Sequence, residues 1–262
     1  MRVHYMSDIY LEFGAMEDMP EGEVLVLAGD ITVAACLAPD AEDSRKARVR
    51  SATLRFFDIA RKNFDLIIFV GGNHEPYGLD IEESQVLIET HLCRDGILYL
   101  ENKTATIDGV TFLGATLWTD MECSEGQSER IIGLGLSDFR VISADGRRFT
   151  PRHALARHPQ SLDFLKRELA GLADHKVVVV THHAPSYQGM SDRFRRTPVA
   201  PAFASDLDNF ILAHPQICDW VFGHTHIVKT FQIGETTLRT NCRGYIGRER
   251  TGFVLDAHFD IG

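Results

Sequence analysis

The stretch LIIFVGGNHE, residues 66–75, places an amide, an imidazole and a carboxylate directly behind an apolar run. Residues 66–70 have the length and composition of a buried strand. Gly71 and Gly72 allow a sharp turn in which larger side chains would clash. The stretch therefore predicts a polar cluster at the carboxyl end of a parallel strand, where sites form in open α/β sheets. A polar turn that caps the following helix is the structural alternative.

The overall composition excludes several classes of protein. The chain has 262 residues, of which 44% are hydrophobic, as in a globular protein with a sizeable core. A formal net charge of -10 argues against a nucleic-acid partner or a membrane surface, because both favour a basic face. No apolar run approaches the ~20 residues that span a bilayer, and the first residues lack the apolar region of a signal peptide. The 5 cysteines are scattered without a Cys-x-x-Cys pair. This pattern favours reduced thiols, and we expect a cytoplasmic protein.

Apolar runs and amphipathic segments alternate along the first half of the chain, as in an α/β protein. Apolar side chains at helical spacing predict helices over residues 44–62 and 159–172, with Pro159 near the start of the second. A shorter helix is expected over residues 205–212. The dipeptide Asp108-Gly109 predicts a hairpin turn. Antiparallel strands are expected near the end of the chain, over residues 227–233, 236–240 and 253–259.

The sequence predicts a single domain over residues 1–262, because it contains no internal repeat, low-complexity tract or linker. Two segments lack a regular pattern, residues 118–150 and 186–202. Long irregular segments inside a compact domain are usually functional or mobile, so we expect both to act as a cap or lid beside the site. A plain surface insertion is the alternative for the first of them.

Five predicted strands end in side chains that bind metals. These are Asp8, Asp30, Asn73, His182 or His183, and His224 with His226. Any one of them has an ordinary explanation as a turn, cap or core residue, but their joint occurrence is hard to obtain by chance. Gly-His-x-His is the strongest piece, because alternate residues of an extended chain point the same way.

Carboxylate, amide and imidazole ligands suit Mn, Fe, Zn, Co or Ni ions. The absence of thiolates among these residues argues against a structural zinc site. A set of this size could hold two divalent or trivalent ions ~3.5–4 Å apart that share a bridging carboxylate. Such a pair would neutralise a phosphate and make a bound water acidic enough to attack it.

The order of these motifs over residues 8–226 resembles the calcineurin-like metallophosphoesterases. The resemblance implies an α/β fold, a four-layer α-β-β-α sandwich of two mixed β-sheets flanked by helices, with two metals at the strand ends. It implies that Asp8, Asp30 and His226 hold the first metal. Asp30 would bridge to the second metal, whose other ligands are Asn73, His182 and His224. At the fourth motif His182 matches better than His183.

The resemblance also assigns roles that are not metal ligation. His74 would donate a hydrogen bond to the phosphoryl oxygen or protonate the leaving group, and Glu75 would orient it. Arg193, Arg195 and Arg196 are candidates to clamp a substrate phosphate, although a solvated basic loop also explains them. Arg243 is a candidate pocket residue. The alternative is that this stretch is a plain turn, which Gly244 favours.

Position 10 departs from the family pattern. The first motif of the family is Asp-x-His, whereas this chain has Asp8-Ile9-Tyr10. A phenol has a pKa of about 10 and ligates well only as phenolate. Three interpretations are open: Tyr10 binds Fe³⁺ as phenolate, it does not coordinate and leaves a weak first site, or the enzyme is impaired. We favour the weak site.

The expected function is hydrolysis of a small phosphomonoester or phosphodiester by attack of a metal-bound hydroxide, with His74 assisting. Two alternatives remain, a nuclease of the same superfamily and a scaffold that keeps the fold after losing metals. The acidic balance of the chain argues against the nuclease, and the nearly intact second ligand set argues against the scaffold. The oligomeric state is left open.

Overall fold

The computed structural model describes residues 1–38, 44–121 and 127–262. Its first sheet has five strands in the order β13-β1-β2-β3-β4. Strands β1 to β4 are parallel, and the last strand of the chain pairs antiparallel with β1. The strands are β1 (Arg2–Met6), β2 (Gly22–Ala28), β3 (Phe64–Val70), β4 (Ile97–Tyr99) and β13 (His258–Asp260).

The second sheet has six strands in the order β11-β12-β10-β9-β6-β5. Its four central strands are parallel and its two edge strands antiparallel. The strands are β5 (Lys103–Ile107), β6 (Val110–Ala115), β9 (Lys176–Thr181), β10 (Ile217–Phe222), β11 (Val228–Ile233) and β12 (Thr236–Asn241). The Asp108-Gly109 turn joins the antiparallel pair β5 and β6, as predicted.

The two sheets pack face to face, and their facing residues form one apolar layer. Val24 and Val26 of β2 lie in this layer with Val178 and Val180 of β9. Leu25, between the two valines, packs on the opposite side of its sheet with the helices. This alternation is the two-residue period of a strand that is buried on both faces. Each fully buried side chain of this size contributes about 1.5–3 kcal/mol.

Helices cover the outer face of each sheet and confirm the α-β-β-α sandwich. Helices α1 (Ser44–Asn63) and α2 (Ile81–His91) pack on the first sheet through Phe56, Phe57 and Ile88. Helices α5 (Pro151–Ala170) and α6 (Asp208–Leu212) pack on the second sheet. In the described part of the chain, no helix is both long and apolar enough to cross a bilayer.

Helix α5 begins eight residues before the predicted start, at Pro151 instead of Pro159. Thr150 and His153 form a reciprocal cap there, and Pro151 occupies the first turn, where its missing N–H costs nothing. Pro159 therefore lies inside the helix. Helix α6 is shorter than predicted, and the strand expected over residues 253–259 is reduced to β13 at its end.

The segment 118–150 is more regular than its sequence suggests. It contains α3 (Gln127–Gly135), α4 (Asp138–Val141) and a small hairpin of β7 (Ser143–Ala144) and β8 (Arg147–Arg148). These elements share an apolar cluster that includes Trp118, Phe139 and Phe149. Residues 122–126, and with them Cys123, lie outside the described ranges. Cys93, Cys218 and Cys242 carry thiols that are not joined in disulfides.

Candidate metal centre

The carboxyl ends of β1, β2, β3, β9 and β10 meet at one edge of the sandwich, and hydrogen bonds join the loops that leave them. The Asp8 N–H donates to the Gly29 carbonyl at 3.0 Å, and the Gly223 N–H donates to the His182 carbonyl at 3.0 Å. Each bond joins two loops that follow neighbouring strands of the same sheet. The predicted strand-end residues are thereby brought together.

Four of these positions, and Tyr10 beside them, carry a left-handed backbone, which non-glycine residues rarely adopt. The φ angles are 53° at Asp8, 53° at Tyr10, 57° at Asp30, 66° at His224 and 50° at His226. Strain of this kind persists only where the surrounding structure enforces it, and it concentrates at functional sites. Our expectation of an extended backbone at Gly-His-x-His is wrong, because the two histidines lie in a tight turn. The Thr225 N–H closes that turn onto the Gly223 carbonyl at 2.7 Å.

The donor atoms of Asp30, Asn73, His182 and His224 converge. Nε2 of His182 lies 2.9 Å from Asn73 Oδ1, 3.1 Å from His224 Nδ1 and 3.4 Å from Asp30 Oδ1. An ion with bonds of about 2.0–2.2 Å separates neighbouring ligands by roughly 3–3.5 Å. The three distances from His182 Nε2 therefore match the spacing of ligands of one ion. Their mixture of oxygen and nitrogen suits the transition metals named above.

Hydrogen bonds behind the donors fix their orientation. His182 Nδ1 lies 2.9 Å from the Ala28 carbonyl and must donate to it, which leaves Nε2 as the acceptor in the set. The Asn73 amide donates from Nδ2 to Asp138 Oδ1 at 2.9 Å, so its oxygen faces His182. Asp138 also accepts from the Tyr77 hydroxyl at 2.6 Å. Such partners of metal ligands commonly control metal affinity.

Burial favours the neutral imidazole of His224, the form that ligates metals. Burial, and the charges of His183 and His182, hold the pKa of His224 well below its usual range. Its Nε2 is buried without a hydrogen-bond partner.

His183, the alternative to His182 at the fourth motif, makes contacts of its own outside the donor set. Nδ1 of His183 lies 3.1 Å from the Thr116 carbonyl, and the ring packs against Trp118 at a centroid distance of 5.0 Å. Burial holds the pKa of His183 well below its usual range.

Gly72 allows the close approach of the loop after β3 to Asp30. A Cβ at this position would lie 2.2 Å from Asp30 Oδ1. No side chain fits there, so the predicted turn also has a packing requirement.

The first predicted site is arranged differently from the second. Asp8 Oδ1 lies 3.4 Å from His226 Nε2, but the Tyr10 hydroxyl contacts both and also Asp30. Among the described His, Cys, Asp and Glu residues, Asp30, His182 and His224 have donor atoms that all lie within 4.8 Å of one another, whereas Asp8, Asp30 and His226 do not form such a group. In this arrangement the residues of the first site do not fit an ion.

His74 lies beside the second donor set, and Glu12 holds its ring. His74 Nδ1 is 2.9 Å from Glu12 Oε1, and the ring stacks on Tyr77 at a centroid distance of 4.1 Å. Burial disfavours the imidazolium, but the charge of Asp30 and the bond to Glu12 outweigh it and raise the pKa of His74 to about 9. The sequence offers no local signal for Glu12, which lies 62 residues away along the chain.

Glu75 does not orient His74, contrary to the prediction. Its side chain turns away and accepts backbone N–H groups of the neighbouring loops. Oε1 accepts from Ile31 at 2.7 Å and Thr32 at 3.2 Å, and Oε2 accepts from Asp30 at 3.0 Å and Gly72 at 2.6 Å. Burial and the charge of Asp30 raise the pKa of Glu75. Four donors on two oxygens nevertheless require the carboxylate form, so Glu75 joins the loop after β2 to the loop after β3.

The structure does not bring the predicted phosphate-binding arginines to the site. Arg193, Arg195 and Arg196 are exposed, and Arg195 pairs with Asp192 at 3.4 Å. The Arg243 guanidinium donates to the carbonyls of Ile9, Gly14 and Ala15 at 3.1–3.3 Å. Arg243 therefore supports the loop that carries Tyr10.

A cavity of about 440 Å³ opens above His74 and the donor residues. Five tyrosine and phenylalanine side chains line it, Tyr10, Tyr77, Phe194, Phe203 and Tyr245, and the acidic residues are Asp138 and Glu249. The segments 118–150 and 186–202 contribute residues 135–138, 191 and 194 to the lining. The described lining residues include no lysine or arginine. No sequence pattern marks Tyr77 or Asp138 as site residues, whereas Tyr245 lies two residues after the candidate Arg243.

In metal-free protein, the stability that the charged His74 contributes should fade as the pH rises. The pKa of His74 is about 9 in the folded state, above about 6.5 in the unfolded chain. The contribution is therefore complete below pH ~6.5 and is lost as the pH rises through ~9. Urea denaturation in EDTA at pH 6, 7.5 and 9 measures the slope. Glu12→Gln should reduce this slope relative to the wild type. His226 is intact in both proteins, so equal slopes would contradict the assignment of the pH dependence to His74.

Comparisons with known proteins show the family and the fold. A family model described as calcineurin-like phosphoesterase matches residues 4–228. The uncharacterised protein L509 of Acanthamoeba polyphaga mimivirus is 28% identical over 227 residues, which cover 79% of this chain and 78% of that protein. The solved phosphopantetheinyl hydrolase of Mycobacterium tuberculosis is 17% identical with a TM-score of 0.63, over 93% of this chain and 89% of its own. A dimetal phosphatase from Danio rerio is 16% identical with a TM-score of 0.53, over 94% and 88%. At these identities the two solved structures show a shared fold.

Proposed function

The chain belongs to the calcineurin-like phosphoesterases, and on that premise we propose that it hydrolyses a small phosphodiester with an ion held by Asp30, Asn73, His182 and His224. The observation that carries the proposal is the convergence of these four donors at a cavity that Asn73, His224 and His74 line. When bound, an ion there supplies a Lewis acid that polarises the phosphoryl group and makes water a better nucleophile.

His74 has the position of a proton or hydrogen-bond donor to the substrate. Glu12 engages Nδ1, and Nε2 lies 3.5 Å from the Tyr245 hydroxyl, another residue of the cavity lining. A phosphoryl or leaving-group oxygen in the cavity would therefore meet Nε2. A donor fixed in place before the reaction stabilises developing negative charge without reorganising.

The charge of the lining favours a diester over a monoester. A phosphomonoester carries up to two negative charges, which arginine and lysine commonly bind. The described lining offers neither, and Asp138 and Glu249 add negative charge. A diester carries one charge, and its second alcohol can pack against Phe194 and Phe203, which are themselves in edge contact at a centroid distance of 4.6 Å. These features support a diester with a flat or apolar group.

Steady-state hydrolysis of bis-p-nitrophenyl phosphate and p-nitrophenyl phosphate tests the proposal. With added Mn²⁺ we expect turnover of both, a kcat/KM about tenfold higher for the diester, and loss of both activities in EDTA; a factor of ten corresponds to ~1.4 kcal/mol. His74→Asn should lower kcat while Mn²⁺ still binds. If neither substrate reacts with Mn, Fe, Zn, Co or Ni ions, hydrolysis is contradicted and the scaffold alternative is favoured.

A nuclease is the second candidate, and the test can detect it. The net charge of -10 and the lack of basic residues in the described lining oppose binding of a long polyanion. Cleavage of a short single-stranded DNA faster than bis-p-nitrophenyl phosphate would reverse this preference.

A further inference from the structure

We propose that the hydroxyl of Tyr10 takes the place of the first metal ion, so that each chain binds one ion where the family pattern provides for two. The inference rests on the metal-binding part of the proposed function. The phenol oxygen lies 3.2 Å from Asp8 Oδ1, 2.9 Å from Asp30 Oδ2 and 2.7 Å from His226 Nε2. It therefore contacts all three side chains that would hold the first ion.

The spacing of these three side chains is too wide for a shared ion. Ligands on opposite sides of an ion with bonds of 2.0–2.2 Å lie at most about 4.4 Å apart. Asp8, Asp30 and His226, all within the described residues, have no choice of donor atoms that all lie within 4.8 Å of one another. Asp8 and His226 are only 3.4 Å apart, so Asp30 is the distant member. The Tyr10 hydroxyl bridges the gap between Asp30 and the other two.

Packing holds the ring of Tyr10 in this position. The side chain is 1% exposed. Its ring contacts those of His74 and Tyr245 at centroid distances of 4.6 Å each, and that of Phe13 at 6.0 Å. The φ angle of 53° at Tyr10 and the carbonyl bonds of Arg243 fix the backbone below the ring. Rotation of the phenol away from the three side chains would require this cluster to repack.

The partners of His226 add to the argument. His226 Nε2 lies 2.7 Å from the Tyr10 oxygen, and Nδ1 lies 2.7 Å from Glu249 Oε2. Both ring nitrogens of His226 therefore already have hydrogen-bond partners. Asp8 likewise accepts from the Ser7 hydroxyl at 2.6 Å and from the His224 N–H at 3.1 Å.

The number of bound ions tests the inference without using activity. Metal-stripped wild type, Tyr10→Phe and Tyr10→His proteins are equilibrated with Mn²⁺, freed of excess metal and analysed by inductively coupled plasma mass spectrometry. We expect one ion per wild-type chain and an electron paramagnetic resonance spectrum of isolated Mn²⁺. Tyr10→Phe should also bind one ion. Tyr10→His removes the hydroxyl that separates Asp30 from Asp8 and His226 and supplies the imidazole of the family motif, so it should bind two ions with a spin-coupled spectrum.

Two results would overturn the inference directly. One is a pair of spin-coupled ions in the wild type. The other is a visible phenolate-to-iron absorption in Fe³⁺-loaded wild type that Tyr10→Phe lacks, because Tyr10 would then be a ligand. A wild type that binds no ion would overturn this inference together with the proposed function, whereas two bound ions leave that function standing. Thermal melting shows that each variant is folded, and the wild-type spectrum decides even if Tyr10→His does not fold.

Discussion

Replacing His182 with alanine should remove the bound ion and abolish measurable hydrolysis. Nε2 of His182 lies 2.9–3.4 Å from donor atoms of Asp30, Asn73 and His224. Changes to residues that merely orient metal ligands cost about 10–100-fold in affinity, so loss of a ligand should cost at least about 100-fold. Dialysis followed by metal analysis, with hydrolysis of bis-p-nitrophenyl phosphate, measures both effects.

His183→Ala is the matched control for this prediction. It also removes a fully buried imidazole, from the next residue, but the ring of His183 faces Trp118 and the Thr116 carbonyl. Both variants leave a similar cavity, so their free energies of unfolding should fall by comparable amounts. Only His182→Ala should lose the ion. The reverse pattern would transfer the ligand role to His183.

Replacing Glu75 with glutamine should destabilise the protein by about 3 kcal/mol, although the two side chains have nearly the same shape. The carboxylate accepts two N–H groups on each oxygen. Glutamine offers one oxygen and an NH₂ group, so two buried N–H donors would face another donor. Each buried donor left without a partner costs about 1–3 kcal/mol. Relief of the repulsion between Glu75 and Asp30 offsets part of this cost. Urea denaturation at pH 7 measures the change.

Glu101→Gln is the corresponding control, because Glu101 is also a carboxylate that accepts a backbone N–H. Its contacts involve one oxygen only: Oε2 accepts from the Thr116 N–H at 2.9 Å and from the Thr116 hydroxyl at 2.7 Å. The single oxygen of glutamine can keep both bonds, so we expect a loss below about 1 kcal/mol. Equal losses in the two variants would show that charge, and not the number of N–H donors, determines the role of Glu75.

The fold and the second donor set could be predicted because both follow from local patterns. Apolar runs mark the buried strands, and a parallel sheet brings the residues that follow them to one edge. No local sequence pattern identifies the hydrogen-bond partners of the site residues. Asp138 lies 65 residues from Asn73, and Glu12 lies 62 residues from His74. Only tertiary packing brings these pairs together.

One error concerns geometry that residue type does not specify. The sequence shows histidines at positions 224 and 226 but not their left-handed backbone, which the surrounding hydrogen bonds impose. It likewise shows a tyrosine at position 10 but not the contacts of its hydroxyl with Asp8, Asp30 and His226, which only tertiary packing makes. The basic loop around Arg193 is a candidate clamp only because of its composition, and composition does not determine where its side chains point.

At the strand ends, the left-handed backbone lowers the stability of the protein, while the side chains of the same residues supply candidate metal ligands. Glycine adopts a positive φ freely, whereas other residues lose about 1–2 kcal/mol there. Mutations of Asp8, Asp30 or His224 to glycine would therefore relieve backbone strain while removing a side chain of the centre. A glycine variant at one of these positions would therefore lose donor atoms and gain backbone freedom at the same time. The wild-type chain keeps carboxylate and imidazole there in spite of the backbone cost.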